Sequence, residues 1–208
     1  MHDDEMIKIV KVHKQGMYYH ISCSNDDTIK FDSEIYFKYN LSVNAIFDEI
    51  KFASIIEENC FRICMNTGAR LLTQRMHSVY ELELKLKKRG FLTKTISAVI
   101  CECEKMNLLN DEYFTKCYID ELLYKGQGKF KIINSLRKRG ISKEIMDIHL
   151  KEINDPVAEE ERAINAMNKK IKFLAYKKLE PYKLKENLMR HLISKGFSSD
   201  IIYKIIDK

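Results

Sequence analysis

The residues best placed to do chemistry are two basic triplets that run into a glycine: Lys87-Lys88-Arg89 before Gly90, and Arg137-Lys138-Arg139 before Gly140. Three cations within one turn can meet phosphate oxygens or an acidic protein surface. The same charges complement the negative end of the helix that carries them, so a solvated helix terminus is the competing reading for each side chain. The central member of each triplet, Lys88 or Lys138, is the one expected to point outward. Arg75, Lys129 and Lys131 lie near the triplets in their own segments, and Lys177 and Lys178 sit between Tyr176 and Tyr182. Rings exposed among lysines can stack on nucleic-acid bases, which makes Tyr176 and Tyr182 candidates for contact. Tyr113, Phe114 and Tyr118 cluster at helical spacing and read as core.

Other reactive side chains lack the partners that chemistry needs. Cys60 and Cys64 are four apart, and Cys101-Glu102-Cys103 holds two more thiols, but no CxxC pair or partner-spaced histidine completes a four-ligand zinc site. Small buried thiols are the simpler account. Gly126-Gln127-Gly128-Lys129 lacks the spacing of a phosphate-binding loop and follows no strand, so a tight turn between helices is expected there. Glu81 stands at the fourth place of a Ser78-x-x-Glu81 capping box, which accounts for it. With no serine elbow, HExxH or acid–base pair, the sequence predicts no enzyme, no metal and no cofactor.

Those residues must be positioned by helices. The chain has 208 residues, 45% hydrophobic and 32% charged, with 7 Gly, 2 Pro and no Trp. So few breakers among so much Lys, Leu, Ile and Glu exclude wholesale disorder and argue against a β-sandwich or barrel. Three segments align on a glycine: Leu86 to Phe91, Leu136 to Ile141 and Leu192 to Phe197, each with a leucine four before the glycine and an apolar residue directly after it. A glycine just past an apolar-periodic run is a left-handed helix stop, and Thr93, Ser142 and Ser198 then offer N-cap oxygens for a following helix. Asn110 can cap another helix, and Pro156 and Pro181 each suit a helix's first turn. Before Ser42, residues 7–12, 18–23 and 28–31 read as strands of a hairpin or meander. The expected architecture is mainly α: three tandem three-helix repeats in an elongated array, behind a small β extension. The expected segments are 1–41 (β-rich extension), 42–59 (connecting helix), 60–109, 110–154 and 155–208 (repeats).

The 36 Lys+Arg outweigh 30 Asp+Glu for a net +6, and the excess sits in the helical body, since residues 1–50 are net acidic. Polyanions or acidic proteins are the partners this favours. No stretch approaches the roughly 20 apolar residues of a membrane span. An acidic start, Met1-His2-Asp3-Asp4-Glu5, does not read as a signal peptide, so reduced thiols and a cytoplasmic location are expected.

The run Leu71 to Phe91 resembles the RecX family of bacterial RecA regulators, whose first repeat has an Arg-x-Arg-Ser-x-x-Glu-Leu-x-x-x-Leu-x-x-[Lys/Arg]-Gly-Phe character. Arg75, Ser78, Glu81, Leu82, Leu86, Arg89, Gly90 and Phe91 match it, while His77 replaces the second arginine. Leu108-Leu109-Asn110-Asp111 with Tyr113, Phe114 and Tyr118 is similar to the family's link into its second repeat. Gly126 to Lys129 leading to Ile132, Leu136, Arg139, Gly140 and Ile141 is similar to that repeat's body, and Leu184, Leu188, Leu192, Gly196 and Phe197 follow the third. The resemblance covers about residues 60–207. It implies a non-enzymatic modulator that binds the RecA filament on single-stranded DNA, lies in its groove and lowers ATP turnover and strand exchange or alters filament growth. A monomer suits a repeat protein that binds a polymer. The competing reading is a basic helical protein that binds DNA directly, with no recombinase partner. A third is a structural helical adaptor for an acidic protein.

Overall fold

The computed structural model describes residues 6–177 and 179–206, and these divide into two compact units, 6–75 with 82–108 and 76–81 with 109–206. Among the described residues there are ten α-helices and four β-strands.

The first unit opens with β1 (Met6–Gln15), β2 (Tyr18–Cys23) and β3 (Thr28–Asp32), which join β4 (Ile46–Asp48) in an antiparallel sheet of order β3-β2-β1-β4. In β2 the alternation is complete: Tyr19, Ile21 and Cys23 are buried and their neighbours are not. That period of two gives the sheet one core face, where Ile9, Phe31, Ile35, Leu41, Phe52 and Ile55 close over it. Two elements were not legible in the sequence. A short helix α1 (Ser33–Lys38) begins where the Asp32 carboxylate accepts from the Glu34 N–H, and the three-residue β4 pairs with Met6, Ile7 and Lys8.

Helix α2 (Glu49–Gln74) runs without a break across residue 60. The connecting helix and the first helix of the first repeat are one continuous rod of 26 residues, capped by Asp48 accepting from the Lys51 N–H at 2.7 Å. Nothing between Glu49 and Thr67 breaks a helix, so propagation continues once the cap nucleates it. Asn59, at the middle of the rod and 1% exposed, ties it to the sheet. Its Oδ1 accepts from the Asp32 N–H and its Nδ2 donates to the Lys30 carbonyl, both at 2.9 Å. Farther along, Cys64, Gly68 and Leu71 are buried, and a Cβ on Gly68 would stand 3.7 Å from Val99 of α4 (Thr93–Lys105). The buried face of α4 is Ile96, Val99 and Cys103, at helical spacing. Its N-cap is Leu92 with no side-chain bond, so Thr93 does not supply the expected cap. Helix α3 (Val79–Lys87) gives Leu82 and Leu86 to the same unit.

The second unit holds α5 (Asp111–Tyr124), α6 (Lys129–Lys138), α7 (Lys143–Glu152), α8 (Pro156–Leu174), α9 (Pro181–Lys195) and α10 (Ser199–Ile206), with a short 3-10 turn over Ala175–Lys177. Asn110 accepts from the Tyr113 N–H and Ser142 from Ile145, so these caps fall where the sequence places them, and Asp155 accepts from the Val157 N–H ahead of Pro156. One core gathers Phe114, Ile119, Leu122, Ile132, Leu136, Ile141 and Met146; another gathers Ala163, Ala166, Leu192, Phe197, Ile202 and Ile205.

The three aligned glycines build one device three times. Gly90, Gly140 and Gly196 have φ of +85°, +71° and +85°. The N–H of the next residue bonds back to the aligned leucine: Phe91 to Leu86, Ile141 to Leu136 and Phe197 to Leu192, at 3.2–3.4 Å. This is the six-to-one closure of a helix stopped by a left-handed residue. The turn at Gly126 also has a second purpose. The Gly128 N–H donates to the Lys195 carbonyl at 2.8 Å and the Phe130 N–H to the Gly196 carbonyl at 3.0 Å. A Cβ on Gly128 would lie 2.4 Å from that Gly196 oxygen, so two backbones meet where no side chain fits.

Candidate functional site

The first triplet ends α3. Lys87, Lys88 and Arg89 are all exposed; Lys87 pairs with Glu83 at 2.6 Å, Arg89 donates to the Lys85 carbonyl, and Lys88 points to solvent. The second triplet ends α6, and there its members part. Arg137 and Lys138 are exposed, but Arg139 is half-buried. Its guanidinium carbon lies 3.9 Å from the centre of the Tyr118 ring and its Nε 3.5 Å from the Glu81 carboxylate. Ser78 Oγ meanwhile accepts from the Glu81 N–H and donates to the Arg139 carbonyl at 2.6 Å. The Ser78 half of the capping box is therefore present, and the Glu81 carboxylate faces an arginine far along the chain. Arg139 holds helix ends together and is engaged inside the fold.

Other predicted residues are scattered. Arg75 ends α2 in extended backbone and is exposed. Lys129 donates its Nζ to Asn154 at 2.8 Å and its backbone N–H to Glu159, while Lys131 is exposed on α6. Lys178 lies outside the described residues, as does the side chain of Lys177; Tyr176 and Tyr182 are exposed. Phe114 is buried and stacks on half-buried Tyr118, but Tyr113 is 61% exposed and is not core. Phe114 and Tyr118, four apart, share a face that Tyr113 does not. Cys23, Cys64 and Cys103 are buried, whereas Cys101 is exposed. Burial first, then the neighbouring Cys103 and Cys60, pushes the Cys64 thiol up to about 11. Among the described residues no group of three His, Cys, Asp or Glu could hold a metal.

A positive cleft is not legible as a run of charge in the sequence. A cleft of about 430 Å³ opens between the end of α5 and the pair α8 and α9, lined by Lys125, Arg162, Lys169, Lys170, His191 and Lys195, with no acidic residue among its lining. Tyr124 and Phe173 flank it, 94% and 66% exposed. Arg162 Nε is buried without a hydrogen-bond partner among the described residues. Burial, then Lys170 and Lys195, holds the His191 imidazole below its usual value, as a positive surrounding requires. The sequence signal was present: Arg162, Ala166, Lys169 and Phe173 follow one another by four, three and four, one face of α8, and His191 and Lys195 are four apart on α9. Apart from the Lys169-Lys170 pair these cations are spaced along separate helices, so contiguous charge does not reveal them.

The family model described as RecX, first three-helix domain, matches residues 64–103, and that of the RecX third three-helix domain matches residues 158–206. Along the whole chain, the regulatory protein RecX of Clostridium perfringens strain 13 is 32% identical over 179 residues, spanning 86% of this chain and 84% of that protein. The chain belongs to the RecX family. The regulatory protein RecX of Clostridium beijerinckii is 28% identical over 202 residues, covering 97% and 93% of the two chains. A crystal structure of regulatory protein RecX superposes with a TM-score of 0.66 over 97% of this chain and 98% of that one, at 20% identity. RecX from Lactobacillus salivarius gives 0.60 over 72% and 96%, at 22%. Both solved structures share the RecX fold with this chain. No helix among the described residues is long and apolar enough to cross a membrane.

Proposed function

We propose that this RecX-family protein is a non-enzymatic cytoplasmic regulator that binds, as a monomer, the filament formed by the RecA recombinase on single-stranded DNA. In this reading it lowers the filament's ATP turnover and strand exchange, and so restrains recombination and the SOS response. The observation that carries the reading is the relationship to regulatory RecX proteins along nearly the full length of both chains. It is supported by exposed cations at equivalent helix ends, Lys87, Lys88 and Arg89 at the end of α3 and Arg137 and Lys138 at the end of α6. Arg75 and Lys131 extend the contact surface. Arg139 acts through the fold, by fixing the helix end that presents its two neighbours.

The deciding experiment is single-stranded-DNA-dependent ATP hydrolysis by the RecA of the same organism, titrated with this protein at fixed salt. Inhibition well below one protein per RecA supports the regulator and points to action on filament growth or ends. Unchanged hydrolysis, with salt-sensitive DNA binding intact, would instead favour a direct DNA-binding protein, the reading to which the basic cleft lends weight.

A further inference from the structure

The cleft between α5, α8 and α9 has the chemistry of a nucleic-acid strand site. Four lysines and an arginine converge on it. Of these, Lys125 is compensated by Glu121 beside it, and Lys195 donates to the Lys125 carbonyl at 3.4 Å. Among the described residues Arg162 Nε is buried without an acceptor. A buried donor left unpaired is costly, so the site asks for an acceptor that arrives with the ligand. Repulsion among the cations adds to that demand, and a phosphate oxygen answers both.

The flanking rings say which phosphate. Tyr124 is almost wholly exposed at the last residue of α5, and Phe173 projects from α8 with the Lys170 ammonium 5.2 Å from its ring centre. Neither ring is needed for the core, and exposed rings beside a basic groove are platforms on which unpaired bases stack. A duplex hides those base faces. We propose that this cleft binds the backbone of single-stranded DNA, phosphates on Arg162, Lys169, Lys170 and Lys195, with bases stacked on Tyr124 and Phe173. Resting on the RecA-filament reading above for its biological setting, this divides the labour: the cleft takes the strand and the helix-end triplets face the recombinase.

The test needs no RecA. Fluorescein-labelled oligothymidylate is titrated with the full chain and its anisotropy followed between about 50 and 200 mM salt. Lys169→Glu with Lys170→Glu is expected to weaken binding at least tenfold and to flatten the logarithmic salt slope by about 1.4, at roughly 0.7 for each phosphate no longer held. Tyr124→Ala is expected to weaken binding about fivefold or more while leaving the slope unchanged, since stacking releases no counterions. Lys11→Glu with Lys14→Glu, the same charge change on β1, controls for net charge and is expected to stay within twofold of the parent. Equal binding by the parent and the cleft double variant, with both melting at the same temperature, overturns the proposal. So does equal affinity for a duplex of the same length, or an equal loss in the β1 control. Loss of oligothymidylate binding in the cleft variant beside an absence of any effect on RecA hydrolysis would keep this site and remove the regulatory reading.

Discussion

Arg139 shows how much a single side chain can differ from its neighbours in a run of charge. Lys138 is exposed with its charge in water, whereas Arg139 covers the Tyr118 ring and faces Glu81. Arg139→Ala is therefore expected to lower the melting temperature, with a loss of about 1–2 kcal/mol from the ring contact and the half-buried pair, while Lys138→Ala stays within about 0.5 kcal/mol in the same thermal scan. Glu58 gives a second test, on acidity. Lys38 and Tyr39 both donate to its carboxylate and hold its pKa below the usual value of 4.5. A depressed carboxyl adds stability above its unfolded pKa and loses it as pH falls through the folded one. Glu58→Gln should thus melt below the parent at neutral pH, and the gap should close as the scans are repeated into the acid range below its usual value; a gap that widens would contradict the assignment.

Helices and strands meet here through a few polar and glycine contacts that decide their packing. Asn59 is the only described side chain bonded both to the Lys30 carbonyl and to the Asp32 N–H. Asn59→Ala leaves that buried N–H without its acceptor, a loss of about 1–3 kcal/mol by chemical denaturation. Faster amide exchange at Asp32 should accompany it. Gly128 is the backbone contact between α6 and the stop that ends α9. Gly128→Ala places a methyl 2.4 Å from the Gly196 oxygen and 2.6 Å from the Phe197 nitrogen, where only main chain can yield. It is expected to be among the most destabilising single changes in the second unit, and to disturb the neighbouring cleft through Lys195, whose carbonyl the Gly128 N–H holds. A fully stable Gly128→Ala protein would show that the two segments can separate freely.

Across the molecule, charge is sorted by surface. The triplet ends of α3 and α6 carry exposed cations, and the ends of α5, α8 and α9 line the cleft. Lys88→Glu with Lys138→Glu changes one exposed residue in each unit. It is expected to weaken inhibition of RecA hydrolysis several-fold while the melting temperature moves by no more than a degree or two, because neither side chain touches the core. A folding defect in that pair would assign the two lysines to the structure and not to the partner.

Sequence by itself determined the helical class, the three glycine stops and most caps, because those signals are local: a left-handed glycine needs only its own helix, and Asn110 or Ser142 needs only the next three residues. It also carried the family, through residues spread along the repeats. What tertiary structure decided is everything that depends on partners distant in the chain. Asn59 on α2 reaches β3, the pairing of β4 with β1 joins the two ends of the sheet-bearing segment, and Arg139 finds Glu81 only once the chain folds. The basic cleft belongs to this second kind. Its cations are ordinary on each helix, and only when α5, α8 and α9 are brought together do they line one cleft with a buried donor that has no acceptor among the described residues, beside two exposed rings.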